Sequence, residues 1–181
     1  MSTRYEENNG FNITFQHIFN NFNPATDKAF FAWTYPWSFE DSLNETQKLV
    51  KKFSEHPEIY IHQEVLGYSR ERRPMEMVTF SSRVGITNER EELVQGLFPE
   101  SRGNVESRPF KFNKKPTIFI SSRVHPGETP ASFVLTGIWK FLTNEKCVQA
   151  KILRDRFVFK VVPMLNPDGV YRGYYRLDTM A

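Results

Sequence analysis

Apolar residues recur at two periods along this 181-residue chain, and the switches between them predict where strands and helices fall. Phe11, Ile13 and Phe15 alternate with polar neighbours and predict a strand over 11–19. Phe30–Tyr35 predicts a second, stopped by Pro36. Phe39, Leu43, Val50 and Phe53 then fall at helical spacing behind Ser38, with Asp41 placed to complete a capping box, so a helix is predicted over 39–53. His56-Pro57 ends it. Two strands follow, Ile59–Leu66 and Met75–Ser81, across the charged turn at Arg70–Pro74. Residues 89–97 predict a short helix. Residues 99–115, with Gly103, Pro109 and several charges, predict an exposed loop.

The last third is more regular. Thr117–Ile120, bounded by Pro116 and Ser121, predicts a short buried strand. After His125-Pro126-Gly127-Glu128, Thr129 can cap a helix whose first position is Pro130, where the missing N–H costs nothing. Val134, Ile138 and Leu142 share one face of that helix. A helical piece over 148–153 leads to a strand at Phe157–Val162, which Asn166-Pro167-Asp168-Gly169 closes with turn chemistry. Strand, helix, strand is a crossover unit, so the fold class is α/β. No internal repeat or low-complexity tract interrupts the chain.

Composition narrows the partners. Hydrophobic residues make up 39% and charged residues 25%, the balance of a folded domain. With 24 basic and 21 acidic residues the formal charge is only +3. The densest basic patch, Arg70-Glu71-Arg72-Arg73, already contains an acid, and no aromatic-interleaved Lys/Arg cluster marks a nucleic-acid surface. Cys147 stands alone, which rules out an internal disulfide and favours a reducing compartment. No window approaches the roughly 18 apolar residues that span a bilayer, and the polar start MSTRYEENNG has no apolar signal core. No membrane partner is expected, and a cytoplasmic location is.

His125 and Glu128 carry the candidate chemistry. Catalytic zinc takes three protein ligands, mixing His nitrogen with a carboxylate, and leaves a position for water. A His and a Glu three residues apart, on a loop leaving a buried strand, can converge on one ion where α/β folds build their sites. The same four residues also read as a tight Pro-Gly turn between incidental polar groups. Other histidines offer less. His62 and Glu64 share a strand face, but the Pro-Cys-x-x-Cys partner of zinc deaminases is absent. His62 reads as a strand-surface residue, His56 as a helix-end residue, and His17 as a strand residue without a partner. Gly-x-Ser-x-Gly and phosphate-binding glycine loops are absent, and Cys147 has no histidine near it in sequence.

SSRVHPGETPASFVLTGIWKFL followed by FVFKVVPMLNPDGVYRGYYRLDT resembles the catalytic core of the cytosolic carboxypeptidases, zinc metallocarboxypeptidases related to the digestive pancreatic enzymes. FFAWTYPWSFED and FKFNKKPTIFISSRVHPGE are similar to a branch of tubulin deglutamylases able to remove branch-point glutamates. The resemblance implies a partial metallocarboxypeptidase mixed sheet with flanking helices over residues 37–181, preceded at 1–36 by a remnant of a small β-domain. It implies one zinc ion, with His125 and Glu128 as two of its ligands, and Arg176 as the residue that polarises the scissile carbonyl. Asn166–Gly169 would aim Arg176, and Tyr174 and Tyr175 would pack. The family's third zinc ligand, general-base glutamate and carboxylate-gripping Asn-Arg pair have no match here. The implied partners are tubulin or other polyglutamylated proteins, at microtubules or cilia. The expectation is an N-terminal piece of a peptidase that by itself binds zinc weakly, is poorly stable and does not hydrolyse peptides. Two alternatives stay open: a non-catalytic interaction module, and a zinc hydrolase of small acyl-amino acids.

Overall fold

The computed structural model describes residues 2–5, 11–32 and 34–176, and divides the chain into two compact units, 1–33 and 34–181. In the first, β1 (Ser2–Tyr5) pairs antiparallel with β2 (Phe11–Thr14). The strand predicted to Phe19 stops at Thr14. Beyond it His17, Phe19 and Phe31 turn their rings onto one another, His17 to Phe19 at 4.7 Å between centroids, instead of alternating. The strand predicted at 30–35 does not form at its described positions, and Trp33 lies outside the described residues.

In the second unit, α1 (Phe39–Phe53) begins with the capping box its sequence predicts. Asp41 N–H donates to Ser38 Oγ at 3.0 Å and Ser38 N–H to the Asp41 carboxylate at 2.9 Å. A four-stranded mixed sheet follows, in the spatial order β3 (Ile59–Tyr68), β4 (Pro74–Ser82), β8 (Val158–Val162), β7 (Thr117–Ser121). β3 with β4 and β4 with β8 pair antiparallel, and β7 pairs parallel to β8. The parallel pair is joined by α2 (Pro130–Leu142) and α3 (Val148–Arg156), the latter one turn longer than predicted.

The two-residue period of the strands gives the sheet two unlike faces. Ile59, Ile61, Val78, Phe80, Phe159 and Val161 point toward α1, α2 and α3 and form the apolar core, in which Phe80 meets Phe53 of α1 edge to face. The other face is buried but mixed, with an apolar cluster of Met77, Phe98 and Val162 beside a set of charged and polar groups. There the Arg108 guanidinium, 2% exposed, is paired with Glu64, and Lys160 donates to Glu91 at 2.7 Å and to Thr79 Oγ1 at 3.2 Å. His62, predicted on the surface, is half-buried on this face with Nε2 3.0 Å from Ser107 O; burial pushes its pKa down.

Residues 86–115 depart from prediction. The expected helix over 89–97 is instead the end of β5 (Ile86–Arg90) and a loop, because Ile86 and Arg90 pair with β6 (Phe110–Phe112). The expected exposed loop 99–115 contains two 3₁₀ turns and buries Ser101, Arg108 and Pro109, with Phe98 just before it packed against Met77 and Val162. β7, predicted as a buried strand, is the last strand of the order. Ile118 and Ile120 pack on the core, but Phe119 is 60% exposed because burial there requires cover on both faces.

Candidate active site

β7 and β8 continue past the sheet as neighbours. Ser122 N–H donates to Val162 O at 3.0 Å, Leu165 N–H to Ser122 O at 2.9 Å, and Asn166 N–H to Arg123 O at 3.1 Å. This ladder sets the loop 122–129 beside the start of α4 (Pro167–Arg172), at the carboxyl ends of two parallel strands. The predicted Asn166–Gly169 closing turn is a helix N-terminus: Asn166 Oδ1 accepts from Gly169 N–H at 3.0 Å, and Pro167 takes the first helical position.

Arg123 braces the loop from behind. It adopts a left-handed φ of 56°, uncommon for a side chain with a Cβ, which turns its guanidinium into the protein. Buried, it donates to Pro126 O from Nε at 3.1 Å and from Nη2 at 2.5 Å, and from Nη1 to Trp37 O and Ser132 Oγ, each at 3.0 Å. Burial pushes its pKa down, and the carbonyl and hydroxyl oxygens replace the water it has lost. Thr129 stands at the helix entrance but makes no cap bond; its hydroxyl lies 3.4 Å from Thr34 Oγ1.

The loop places His125 Nδ1 3.2 Å from Glu128 Oε1. Arg176 reaches both from across the cleft, Nη1 to Glu128 Oε1 at 3.3 Å and Nη2 to His125 Nε2 at 3.2 Å. A guanidinium only donates, so the second contact requires the lone pair on Nε2 and the proton on Nδ1, facing Glu128. Gly127 makes this convergence possible. Its N–H donates to Tyr175 O at 2.8 Å, and a Cβ on Gly127 would stand 2.3 Å from Tyr175 Cδ2. Tyr175, expected only to pack, therefore ties the chain that carries Arg176 to the histidine loop.

His125, Glu128 and Arg176 are thus brought together, with His125 and Glu128 partly exposed and Arg176 open to solvent. For a tetrahedral zinc with bonds near 2.1 Å, the ligand-to-ligand edge is about 3.4 Å, close to the His125–Glu128 separation. With the ring proton moved from Nδ1 to Nε2, which gives up the Arg176 contact there, the pair fits as two ligands of one ion. Among the described residues, no group of three or more His, Cys, Asp or Glu gathers to complete a set.

Sequence reasoning missed the clamp on the opposite wall. The Asp168 carboxylate, 4% exposed, accepts from Ser69 Oγ at 2.7 Å, Glu71 N–H at 3.1 Å and Arg73 Nη1 at 2.7 Å. Burial pushes its pKa up, but these donors outweigh it and hold the carboxyl below its ordinary range. Asp168 thereby fastens the β3–β4 turn to α4. Its only sequence signal is an Asp in a turn-like motif. Between these walls lies a cleft of about 510 Å³, whose lining includes Arg70, Met75, His125, Asn166, Asp168 and Arg176.

Residues 46–180 match the family model described as zinc carboxypeptidase. Over 177 residues the chain is 42% identical to human cytosolic carboxypeptidase-like protein 5, covering 93% of this chain and 19% of that protein. It is 36% identical to mouse cytosolic carboxypeptidase 6, covering 88% of this chain and 24% of that protein. The chain thus spans about a fifth of the length of the curated relatives it matches. Among solved structures, a metallo-carboxypeptidase from Burkholderia cenocepacia superposes with a TM-score of 0.51 at 24% identity, over 79% of this chain and 30% of that one. Bovine thrombin-activatable fibrinolysis inhibitor does so with a TM-score of 0.53 at 13% identity, over 80% and 38%. These two establish the fold.

Proposed function

This chain belongs to the zinc carboxypeptidase family, and on that premise we propose that it forms the first part of the active site of a deglutamylase acting on polyglutamylated proteins such as tubulin. The observation that carries the reading is the meeting of His125, Glu128 and Arg176 at the carboxyl end of β7, on a loop held rigid by Arg123. His125 and Glu128 would hold the metal, His125 through a ring nitrogen and Glu128 through a carboxylate oxygen. Zinc supplies Lewis-acid polarisation and lowers the pKa of water. Arg176 directs its N–H groups at the carbonyl oxygen of the scissile bond, where negative charge gathers in the transition state. The Gly127–Tyr175 bond keeps that arginine within reach of the substrate carbonyl.

The described residues supply two metal donors where a catalytic zinc takes three, so hydrolysis is expected of a longer polypeptide containing this segment and not of these 181 residues alone. The cytosolic names of the relatives favour a cytoplasmic site of action. No helix among the described residues is long and apolar enough to cross a membrane. The test is release of glutamate from a polyglutamylated tubulin-tail peptide by the longer polypeptide. Release that is lost on chelation and in His125→Ala supports the reading. Absent release, or release indifferent to His125→Ala, refutes it.

A further inference from the structure

Arg70 sits at the tip of the β3–β4 turn and lines the same cleft as His125 and Arg176. The turn around it is fixed. Ser69 N–H donates to Arg73 O at 2.9 Å, Arg72 N–H to Ser69 O at 3.1 Å, and the Asp168 carboxylate holds Ser69 and Glu71, the residues on either side of Arg70.

The charges nearby are engaged. Glu71 pairs with Arg73 at 2.6 Å and also with Arg172, and Arg73 further pairs with Asp168 and lies 3.8 Å over the Tyr171 ring. Arg176 is held by Glu128 and His125. The carboxylate lining the cleft, Asp168, is consumed by three donors. Arg70 and Arg72 are the exceptions, forming no ion pair and no side-chain hydrogen bond among the described residues, and of the two only Arg70 lines the cleft. An arginine on an immobilised turn, facing a cleft large enough for one or two residues of a peptide, is equipped to take a carboxylate in bidentate fashion.

We propose that Arg70 is a specificity-determining residue, binding the side-chain carboxylate of an acidic residue in the peptide held beside His125. The proposal rests on the reading of the chain as part of a glutamate-releasing peptidase. It assigns the choice of acidic over neutral side chains to the β3–β4 turn, apart from the groups that act on the scissile bond. Arg72 provides an internal control. It is exposed at a left-handed φ of 64° on the same turn, but it does not line the cleft.

The test measures binding of a tetraglutamate peptide and its tetraglutamine counterpart to the 181-residue chain by titration calorimetry at low ionic strength. The wild type should bind the glutamate peptide more tightly. Arg70→Gln should lower that affinity by about tenfold, the loss of one charge-assisted pair, and leave the glutamine peptide unaffected. Arg70→Lys should restore part of it, and Arg72→Gln should change neither peptide's affinity by more than about twofold. A glutamate preference that survives in Arg70→Gln overturns the role of Arg70 while leaving the acidic-substrate reading intact. A wild type that binds neither peptide, or does not distinguish them, overturns the proposal and weakens that reading with it.

Discussion

Replacing Asp168 by Asn isolates the clamp between α4 and the β3–β4 turn with little change of shape. One amide oxygen can still accept from Ser69 Oγ and Arg73 Nη1, as Oδ1 does now. The amide nitrogen, however, would then face the Glu71 N–H that Oδ2 accepts at 3.1 Å, setting donor against donor. Breaking a buried charge pair costs about 3–5 kcal/mol. Arg73 is partly relieved, because its Nη1 keeps Glu71 at 2.6 Å. A loss of about 2–3 kcal/mol follows, or about 5–10 °C in Tm for a chain of this size.

The pH dependence checks the cause. The folded carboxyl titrates below its ordinary value of 3.8, so its contribution is fully present above that pH and is lost as pH falls through the folded value. Urea melts of wild type and Asp168→Asn should therefore differ fully at pH 7 and converge in strong acid. A gap smaller than about 0.5 kcal/mol at pH 7, or one unchanged near pH 2, would show that the carboxylate does not fasten the turn.

Gly127→Ala should push Tyr175 away, since the new Cβ would lie 2.3 Å from Tyr175 Cδ2 and 3.0 Å from its Cα. Hydrogen exchange at the residue-127 amide should accelerate by about tenfold or more, and unchanged protection would mean that the contact is dispensable. Lys115 Nζ lies within 3.1 Å of Ser81 Oγ, Ser82 O, Ser82 Oγ and Arg154 O, enough acceptors for its three N–H groups, yet burial pushes its pKa down to about 8. The unfolded chain therefore binds the extra proton between about 8 and 10.5, so stability should rise with pH across that window, by about 1–2 kcal/mol after allowing for solvent screening. Denaturant midpoints at pH 7.5 and 10 should show the rise in wild type and not in Lys115→Met; parallel behaviour of the two would assign it to another group.

Legibility in the sequence followed the range of the forces involved. α1 could be read because its capping box and apolar spacing are local, α2 because Pro130 and its apolar spacing are, although the expected Thr129 cap bond does not form, and His125 and Glu128 because a three-residue turn brings them together. The approach of Arg176 came only through family resemblance, since 48 residues separate it from Glu128. β5 was hidden because Ile86–Arg90 is polar and becomes a strand only by pairing with residues 110–112. Arg108 looked like a loop charge because its partner, Glu64, is 44 residues away. The exposure of Phe119 depends on which strands neighbour β7, and an apolar run does not encode its neighbours.

The spatial order of the sheet also has a temporal meaning. β8 lies between β4 and β7, although it is made after both. As the chain leaves the ribosome, the β3–β4 hairpin can zip at once, whereas β7 must wait for residues 158–162 to bridge it to the hairpin. The histidine loop can wait longer still for Tyr175. Assembly is therefore closed by late, distant segments, and a nascent chain halted before β8 would hold an adhesive strand with nothing yet to dock on, a natural substrate for chaperones.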